Sequence, residues 1–187
     1  MSLDCNNEII KTGRIIFELG LVGSHSGNIS CINNGRIYIT ASGSKLGWLE
    51  PKEIVSFSID DKAPHPKASS EYLTHWEIYK KTDYKCVIHS HPHFLVVLSL
   101  TKEKVVPIDI EGKYYLSEIP ILHVKEAIGS SELAEKVSNS FVSDNRAVMV
   151  KGHGLFVAAD DFEEGINLSS VSESSSKILY HHSLLTK

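Results

Sequence analysis

The chain has 187 residues, of which 42% are hydrophobic and 22% are charged, and its formal net charge is −4. This length and composition predict a single domain over residues 1–187 and exclude an intrinsically disordered chain, which would be poorer in apolar residues. The charge balance offers no basic stripe that could neutralise a phosphate backbone, so we expect no nucleic-acid partner.

The first part of the chain predicts a helix followed by a β-hairpin. Apolar residues recur at helical spacing over 8–19, and Gly20 follows where a left-handed C-terminal cap belongs. The alternating runs 29–32 and 36–40 flank the tripeptide 33–35 (Asn-Asn-Gly). Asn-Gly between two such runs is a strong hairpin signal.

A further strand and a second helix are predicted next. The run 55–59 alternates between apolar and polar residues, as a strand with one buried face does. After a proline-rich connector at 62–68, Ser69 and Ser70 offer N-cap hydroxyls to a helix over the periodic run 71–79.

A histidine cluster lies at a predicted strand-to-helix junction. The apolar run 86–88 is typical of a buried strand, and the sequence His-Ser-His-Pro-His follows it at 89–93. Pro92 is expected at the first position of a helix over 94–100, because that position needs no N–H donor.

Short strands and helices alternate through the rest of the chain. We expect a helix over 132–141 and a final helix that begins with a capping box formed by Asp160 and Glu163. Short strands are expected at 105–108, 114–116, 119–122, 147–150 and 155–158. Strands that pair through tight turns, mixed with helices, favour an α/β sandwich with a mixed, largely antiparallel sheet over a purely parallel doubly wound sheet.

Cysteine usage and hydropathy point to a cytoplasmic protein with no membrane segment. The three cysteines, Cys5, Cys31 and Cys86, fit neither a disulfide framework nor a Cys-x-x-Cys site. The apolar stretch 94–98 is far shorter than the roughly 20 residues that span a bilayer. The first eight residues lack the basic and apolar regions of a secretory signal.

Three histidines could hold a metal ion. Residues two apart in a strand project from the same face, so His89 and His91 can both turn a ring nitrogen toward one ion. His153 is a candidate third ligand, since the glycines on either side of it allow close backbone approach. Three histidines leave an open coordination position, which is typical of catalytic zinc. The alternative is that His89 and His91 end a strand and are satisfied by hydrogen bonds. We expect His93 at the helix start or beside the ligands, not as a ligand itself.

Three small-residue, hydroxyl-rich segments at 27–28, 40–43 and 69–70 could bind an anion through backbone N–H groups and hydroxyls. Each of them is also a plausible turn or helix cap. Glu71 is by default a first-turn acid favoured by the helix dipole, and it gains a functional interpretation only with a metal beside it.

Five motifs, in this order and with this spacing, resemble the class II aldolase/adducin family, particularly its L-fuculose-1-phosphate aldolase-like enzymes. The resemblance spans about residues 8 to 180. The motifs are Gly27-Asn28-Ile29-Ser30, Ile39-Thr40-Ala41-Ser42-Gly43, Ser69-Ser70-Glu71 with His75, His89-Ser90-His91-Pro92 and Gly152-His153-Gly154-Leu155.

The resemblance implies a three-layer α/β/α sandwich around a mixed, largely antiparallel sheet, assembled as a homotetramer with active sites at subunit interfaces. It implies one Zn²⁺ per subunit, held by His89, His91 and His153, with Glu71 as the catalytic acid/base. The residues that it assigns to the substrate phosphate are Asn28, Ser42, Gly43, Ser69 and Ser70.

The implied reaction is the reversible cleavage of a ketose 1-phosphate, such as L-fuculose 1-phosphate, to dihydroxyacetone phosphate and a small aldehyde. Alternatives within the family are a sugar-phosphate epimerase, which typically has Asp in place of Glu71, and a methylthioribulose-1-phosphate dehydratase. A different class is the adducin-like interaction module, which typically lacks the metal histidines. The aldolases also carry a tyrosine acid/base after the histidine pair; residues 106–111 contain none, and Tyr114 or Tyr115 is the candidate.

Overall fold

The computed structural model describes residues 4–186 as one eight-stranded sheet with helices on both faces. The strands are β1 (Asn28–Asn33), β2 (Arg36–Thr40), β3 (Ile54–Ser58), β4 (Cys86–Ser90), β5 (Lys104–Val105), β6 (Ile119–Leu122), β7 (Ala147–Val150) and β8 (Gly154–Ala159). The helices are α1 (Cys5–Glu18), α2 (Tyr72–Lys81), α3 (His93–Ser99), α4 (Ile110–Tyr115), α5 (Ser131–Val142) and α6 (Phe162–Leu185).

The strand order is β3-β2-β1-β4-β8-β7-β6-β5, and every neighbouring pair is antiparallel except β6 and β7. One hydrophobic core lies between the sheet and helices α1, α3 and α6, and a second lies between the sheet and helices α2 and α5. Val87 and Ile88, adjacent on β4, point into opposite cores. Helix α4 packs on α6. The predicted three-layer sandwich with a largely antiparallel sheet is therefore confirmed.

The local signals at the first helix and the hairpin are confirmed. Gly20 has a φ of +71°, and the next amide, Leu21 N, donates to Ile16 O across the end of α1. Asn34 and Gly35, between β1 and β2, have φ values of 49° and 72°. Positive φ at both central residues is the requirement of a type I′ turn.

The segment after β5 differs from the sequence prediction. The predicted strand 105–108 is reduced to Lys104–Val105, and the predicted strand 114–116 is wrong, because Tyr114 and Tyr115 end helix α4. The Asp109 carboxylate starts this helix by accepting from the Gly112 amide at 2.7 Å. A Cβ at Gly112 would overlap Ser175 of α6, so tight helix packing overrides the strand preference of the two tyrosines.

Helix α1 begins at Cys5, three residues before its predicted start, and the starts of α2, α3 and α6 differ from prediction by one or two residues. The N-cap of α6 is Asp161 rather than Asp160, and its carboxylate accepts from the Glu164 amide at 2.8 Å. Pro92 is the N-cap of α3 rather than its first residue. Helix α2 begins at Tyr72 with Glu71 as its N-cap residue, and the nearby Ser69 hydroxyl accepts from the Glu71 amide at 3.3 Å. Among residues 4–186, no helix is both long enough and apolar enough to cross a membrane.

Candidate metal centre and cavity

The histidines meet where β4 ends and β8 begins. His89 lies in β4, His91 follows its last residue, and His153 immediately precedes β8. Because β4 and β8 are antiparallel neighbours, the end of one adjoins the start of the other. One ring nitrogen from each histidine lies within 4.8 Å of the others, and the Nε2 atoms of His89 and His91 are 3.0 Å apart.

Glycine at position 154 makes room for this cluster. A Cβ on Gly154 would lie 2.6 Å from His89 Cε1 and 2.8 Å from His91 Cδ2, closer than real Cβ contacts occur. Gly152, on the other side of His153, has a φ of +68°. The two glycines therefore permit the close approach that the sequence predicts.

The imidazoles are held in the form that binds metal. His89 Nδ1 donates to Leu155 O at 3.0 Å, which in the neutral ring leaves Nε2 with a free lone pair, and the ring stacks on Phe156 at 4.1 Å. Burial, and then the neighbouring histidines, lower the pKa of His89 well below its ordinary value. Burial and His91 lower the pKa of His153 to about 4. Neutral imidazoles are thus expected at pH 7.

Glu71 places a carboxylate against the histidines. Its Oε2 accepts from Asn28 Nδ2 at 2.8 Å and lies 3.1 Å from His89 Nε2, while its Oε1 lies 3.5 Å from His153 Nε2. Asn28 faces the same side because it pairs with His89 across β1 and β4. Burial raises the pKa of Glu71 to about 7, although the hydrogen bond from Asn28 acts in the opposite direction.

The unpartnered oxygen of Glu71 at this site fits a neighbouring cation. Glu71 Oε1 and His153 Nδ1 are buried and have no hydrogen-bond partner among residues 4–186. In a buried site, a carboxylate oxygen that faces neutral imidazole nitrogens and accepts no hydrogen bond costs free energy unless a positive charge lies beside it. Three imidazoles beside one carboxylate form a donor set that could hold a divalent metal ion.

A cavity of about 210 Å³ opens beside this cluster. Helix α2 begins at its wall, and no lysine or arginine lines it among the described residues. Within the wall, Gly27 and Gly43 have φ values of +82° and +79°. The cavity brings together the sequence-predicted residues His89, His91, His153, Glu71, Asn28, Ser42, Gly43, Ser69 and Ser70.

Two cavity residues were not predicted and the candidate tyrosines lie outside the cavity, whereas His93 lies at a helix start as the sequence predicts. His25 and Ile128 line the cavity without having been indicated by a motif. His93 lies exposed in the first turn of α3 and outside the cavity lining. Tyr114 and Tyr115 are exposed on α4, and neither lines the cavity.

Two polar side chains that the sequence did not indicate hold the segments around the histidines. The Glu173 carboxylate on α6 accepts from the backbone amides of Phe94 and Leu95 at 3.0–3.1 Å, at the start of α3. The Ser99 hydroxyl, at the end of α3, accepts from the Gly152 amide at 2.9 Å. Neither residue lies in a recognisable motif, because both act on backbone amides that are distant in sequence.

Comparison with known proteins identifies relatives across most of the chain. Residues 7–180 match the family described as Class II Aldolase and Adducin N-terminal domain. The chain is 29% identical to the L-fuculose phosphate aldolase of Methanocaldococcus jannaschii, over 96% of this chain and 98% of that protein. It is 27% identical to the methylthioribulose-1-phosphate dehydratase of Gluconobacter oxydans, over 82% and 80%.

A solved structure shares the fold. The crystal structure of L-fuculose-1-phosphate aldolase from Thermus thermophilus superposes with a TM-score of 0.92 and 29% sequence identity. The match covers 96% of this chain and 94% of that one.

Proposed function

The chain belongs to the class II aldolase and adducin family, and from this premise we propose that it is a metal-dependent aldehyde-lyase acting on a ketose 1-phosphate. The proposed reaction is the reversible cleavage of L-fuculose 1-phosphate, or a similar sugar phosphate, to dihydroxyacetone phosphate and a small aldehyde. The observation that carries the proposal is the buried Glu71 carboxylate, with one unpartnered oxygen, beside three neutral imidazoles in a cavity.

We assign one Zn²⁺ per subunit to His89, His91 and His153. Imidazole nitrogens are ordinary zinc ligands, and a site with three of them keeps a position open for substrate. When bound, the ion supplies Lewis-acid stabilisation of the negative charge that develops on the substrate as the carbon–carbon bond breaks. Two features of the chain orient the ligands. Leu155 O accepts a hydrogen bond from the His89 ring, and the absence of a side chain at Gly154 leaves room for the His89 and His91 rings.

Glu71 is the proposed proton carrier. As the carbon–carbon bond breaks, the hydroxyl of the departing fragment gives up its proton and becomes the aldehyde carbonyl. The electron pair of the bond stays on the phosphate-bearing fragment as a carbanionic carbon, which must gain a proton before the product is released. Asn28 holds Oε2 as a hydrogen-bond acceptor, so the unpartnered Oε1 is the oxygen assigned to carry the proton. A carboxyl group suits this role because it can both hold and release a proton during the reaction.

The substrate phosphate is assigned to the cavity wall formed by Asn28, Ser42, Gly43, Ser69 and Ser70. Hydroxyls and exposed backbone N–H groups of glycine-containing loops can bind a phosphate without a cationic side chain. This suits a cavity lined by no lysine or arginine among the described residues.

Tyr114 and Tyr115 remain the candidates for the tyrosine acid/base. Both lie exposed on α4, outside the cavity, so either would act only on the site of a neighbouring subunit. The proposed cytoplasmic homotetramer with interfacial active sites would provide that arrangement. Light scattering on the purified protein should give the mass of four chains, and a monomer would contradict this assembly.

The substrate and the metal can be tested together. Zinc-loaded, EDTA-treated and re-metallated protein would be incubated with L-fuculose 1-phosphate, methylthioribulose 1-phosphate and ribulose 5-phosphate, and the products identified. We expect dihydroxyacetone phosphate and an aldehyde, formed only by the metal-loaded forms. Loss of water from methylthioribulose 1-phosphate would favour the dehydratase, which the relative from Gluconobacter oxydans supports as the second candidate. Epimerisation of ribulose 5-phosphate would contradict both.

A substitution tests the role of Glu71. Glu71→Gln should keep zinc while lowering cleavage about 10²- to 10⁴-fold, the usual contribution of a general acid or base. Glu77→Gln, which changes a carboxylate elsewhere on α2, is the matched control and should keep activity. Full cleavage activity in Glu71→Gln with unchanged zinc content would show that the assignment is wrong.

A further inference from the structure

Three hydrogen bonds hold the turn that carries His153, and a side chain is the acceptor in one of them. The amide of Lys151 donates to Leu122 O at 3.0 Å, and the amide of His153 donates to Val150 O at 3.0 Å. Between them, the amide of Gly152 donates to the hydroxyl of Ser99 at 2.9 Å. Ser99 lies on another element, at the end of α3, and is fully buried.

A second hydrogen bond of the Ser99 hydroxyl leaves its oxygen as the acceptor for the Gly152 amide. It donates its single proton to Val96 O at 2.6 Å, so its oxygen is left to accept from Gly152. The same helix α3 begins two residues after His91. Helix α3 therefore connects the segment that carries His91 to the turn that carries His153.

The position of the His153 ring depends on this turn, whereas the His89 ring has supports of its own. The His89 ring is fixed by Leu155 O and by stacking on Phe156. The Nδ1 atom of His153 has no hydrogen-bond partner among residues 4–186, and the contacts of its ring are with Glu71, His89 and His91, which belong to the site itself. The turn therefore supports this ring from outside the site. The preceding residue, Gly152, has a φ of +68° and no side chain to restrict it.

We infer that Ser99 is a positioning residue whose hydroxyl fixes the 151–153 turn and thereby presents the His153 ring to the metal site. The inference rests on the proposed function for its metal-binding consequence, while the fixed turn itself is a property of the metal-free chain. Removing the hydroxyl frees the Gly152 amide and lets the turn move relative to His89 and His91.

The chain offers a matched control for this test. Ser138 on α5 is also fully buried, donates to the carbonyl of the residue three positions earlier, Glu135, at 3.1 Å, and accepts from Lys81 Nζ at 2.8 Å. Ser99→Ala and Ser138→Ala should lower the midpoint of thermal unfolding of EDTA-treated protein to a similar extent. Zn²⁺ affinity, measured by competition with a chromophoric chelator, should fall about tenfold in Ser99→Ala and stay within about twofold in Ser138→Ala.

A second variant and a metal-free measurement complete the experiment. Ser99→Cys keeps the shape but is a weaker acceptor, so it should lose less zinc affinity than Ser99→Ala. Hydrogen exchange of the Gly152 amide in EDTA-treated protein should be at least about tenfold faster in Ser99→Ala than in wild type or Ser138→Ala. Equal zinc affinity in the two alanine variants would overturn the inference. If wild-type protein binds no zinc, the proposed function fails, and an unchanged Gly152 exchange rate would separately overturn the role of Ser99.

Discussion

Glu71 lies where a negative charge is costly to folding. It is 3% exposed, and burial raises the pKa of its carboxyl group to about 7. The folded protein therefore favours the protonated form over a pH range in which the unfolded chain is already ionised. The contribution of this group to stability is fully present below its ordinary pKa of 4.5 and is lost as the pH rises toward 7.

Glu71→Gln should stabilise the metal-free protein at alkaline pH. Each unit between the ordinary pKa and the raised pKa corresponds to about 1.4 kcal/mol, so the free energy of unfolding should rise by about 3 kcal/mol at pH 8. The gain should shrink to near zero toward pH 4, where wild type is protonated in both states. Urea unfolding of EDTA-treated wild type and variant at several pH values measures this difference. A gain that does not vary with pH would contradict the assigned cause.

Gly154→Ala should disrupt the histidine cluster. The new methyl group would lie 2.6 Å from His89 Cε1 and 2.8 Å from His91 Cδ2. We expect a loss of about 1–3 kcal/mol in unfolding free energy, typical of overpacking, together with weakened zinc binding. Gly23→Ala is the control, because its nearest contact would be Ser26 Oγ at 3.4 Å. Unchanged zinc affinity in Gly154→Ala would show that the rings have room to move.

At the scale of elements, the sequence correctly predicted the features that depend on neighbouring residues alone. The Asn-Gly turn and the Gly20 cap depend only on neighbouring residues, and both are confirmed. The predicted strand 114–116 is wrong because its aromatic residues favour strands, whereas Gly112 packs against Ser175 of α6, 63 positions later in the chain. The start of α6 was displaced because Asp160 and Asp161 are adjacent and either could serve as its cap. At the start of α3 the first amides are bound by Glu173 of α6, not by a neighbouring residue.

The candidate site was predictable as a set of residues but not as an arrangement. Strand alternation suggested that His89 and His91 share a face, and the flanking glycines suggested His153. The contact between Asn28 and Glu71 depends on the pairing of β1 with β4 and on the exact start of α2, which no local pattern encodes. Glu173 and Ser99 act on amides 79 and 53 positions away in the chain, so the sequence offers no signal for either.

Helix α3 depends on a cap from another element. Its N-cap residue is Pro92, which has no capping side chain, and Glu173 supplies the acceptor instead. Glu173→Ala leaves two backbone amides without partners and should cost about 1–3 kcal/mol of unfolding free energy. Glu173→Gln keeps one acceptor oxygen and should cost less. Denaturant unfolding measures both, with the exposed Glu135→Ala as control; equal stability of all three variants would contradict the capping role.

At the scale of the whole molecule, a buried polar seam joins β1 to α2. The Ser30 hydroxyl lies 2.6 Å from both His75 Nδ1 and the Tyr79 hydroxyl, one and two helical turns beyond Glu71. His75 is fully buried, and burial lowers its pKa to about 3. The unfolded chain binds a proton there below the ordinary pKa of 6.5 while the folded chain does not, so stability is present above pH 6.5 and falls as the pH drops toward 3.

His75→Asn should flatten the acid limb of the stability curve. Removing one proton taken up on unfolding lowers the slope of unfolding free energy against pH by about 1.4 kcal/mol per unit between pH 6 and 4. Urea unfolding at half-unit pH steps measures the slope directly. An acid limb as steep in the variant as in wild type would show that other groups, rather than His75, govern acid unfolding.

The two tryptophans of the chain lie on opposite faces of the sheet. Trp76, in the α2 layer, is 5% exposed and donates its indole N–H to Ile59 O at 2.9 Å. Trp48 is 60% exposed and packs against Phe17 of α1 with ring centroids 4.5 Å apart. Their fluorescence should therefore separate into a blue emission shielded from acrylamide and a red emission quenched by it. A single spectrum thus reports on each layer independently, so an optical titration can reveal which face loosens first when the protein is stripped of metal or warmed.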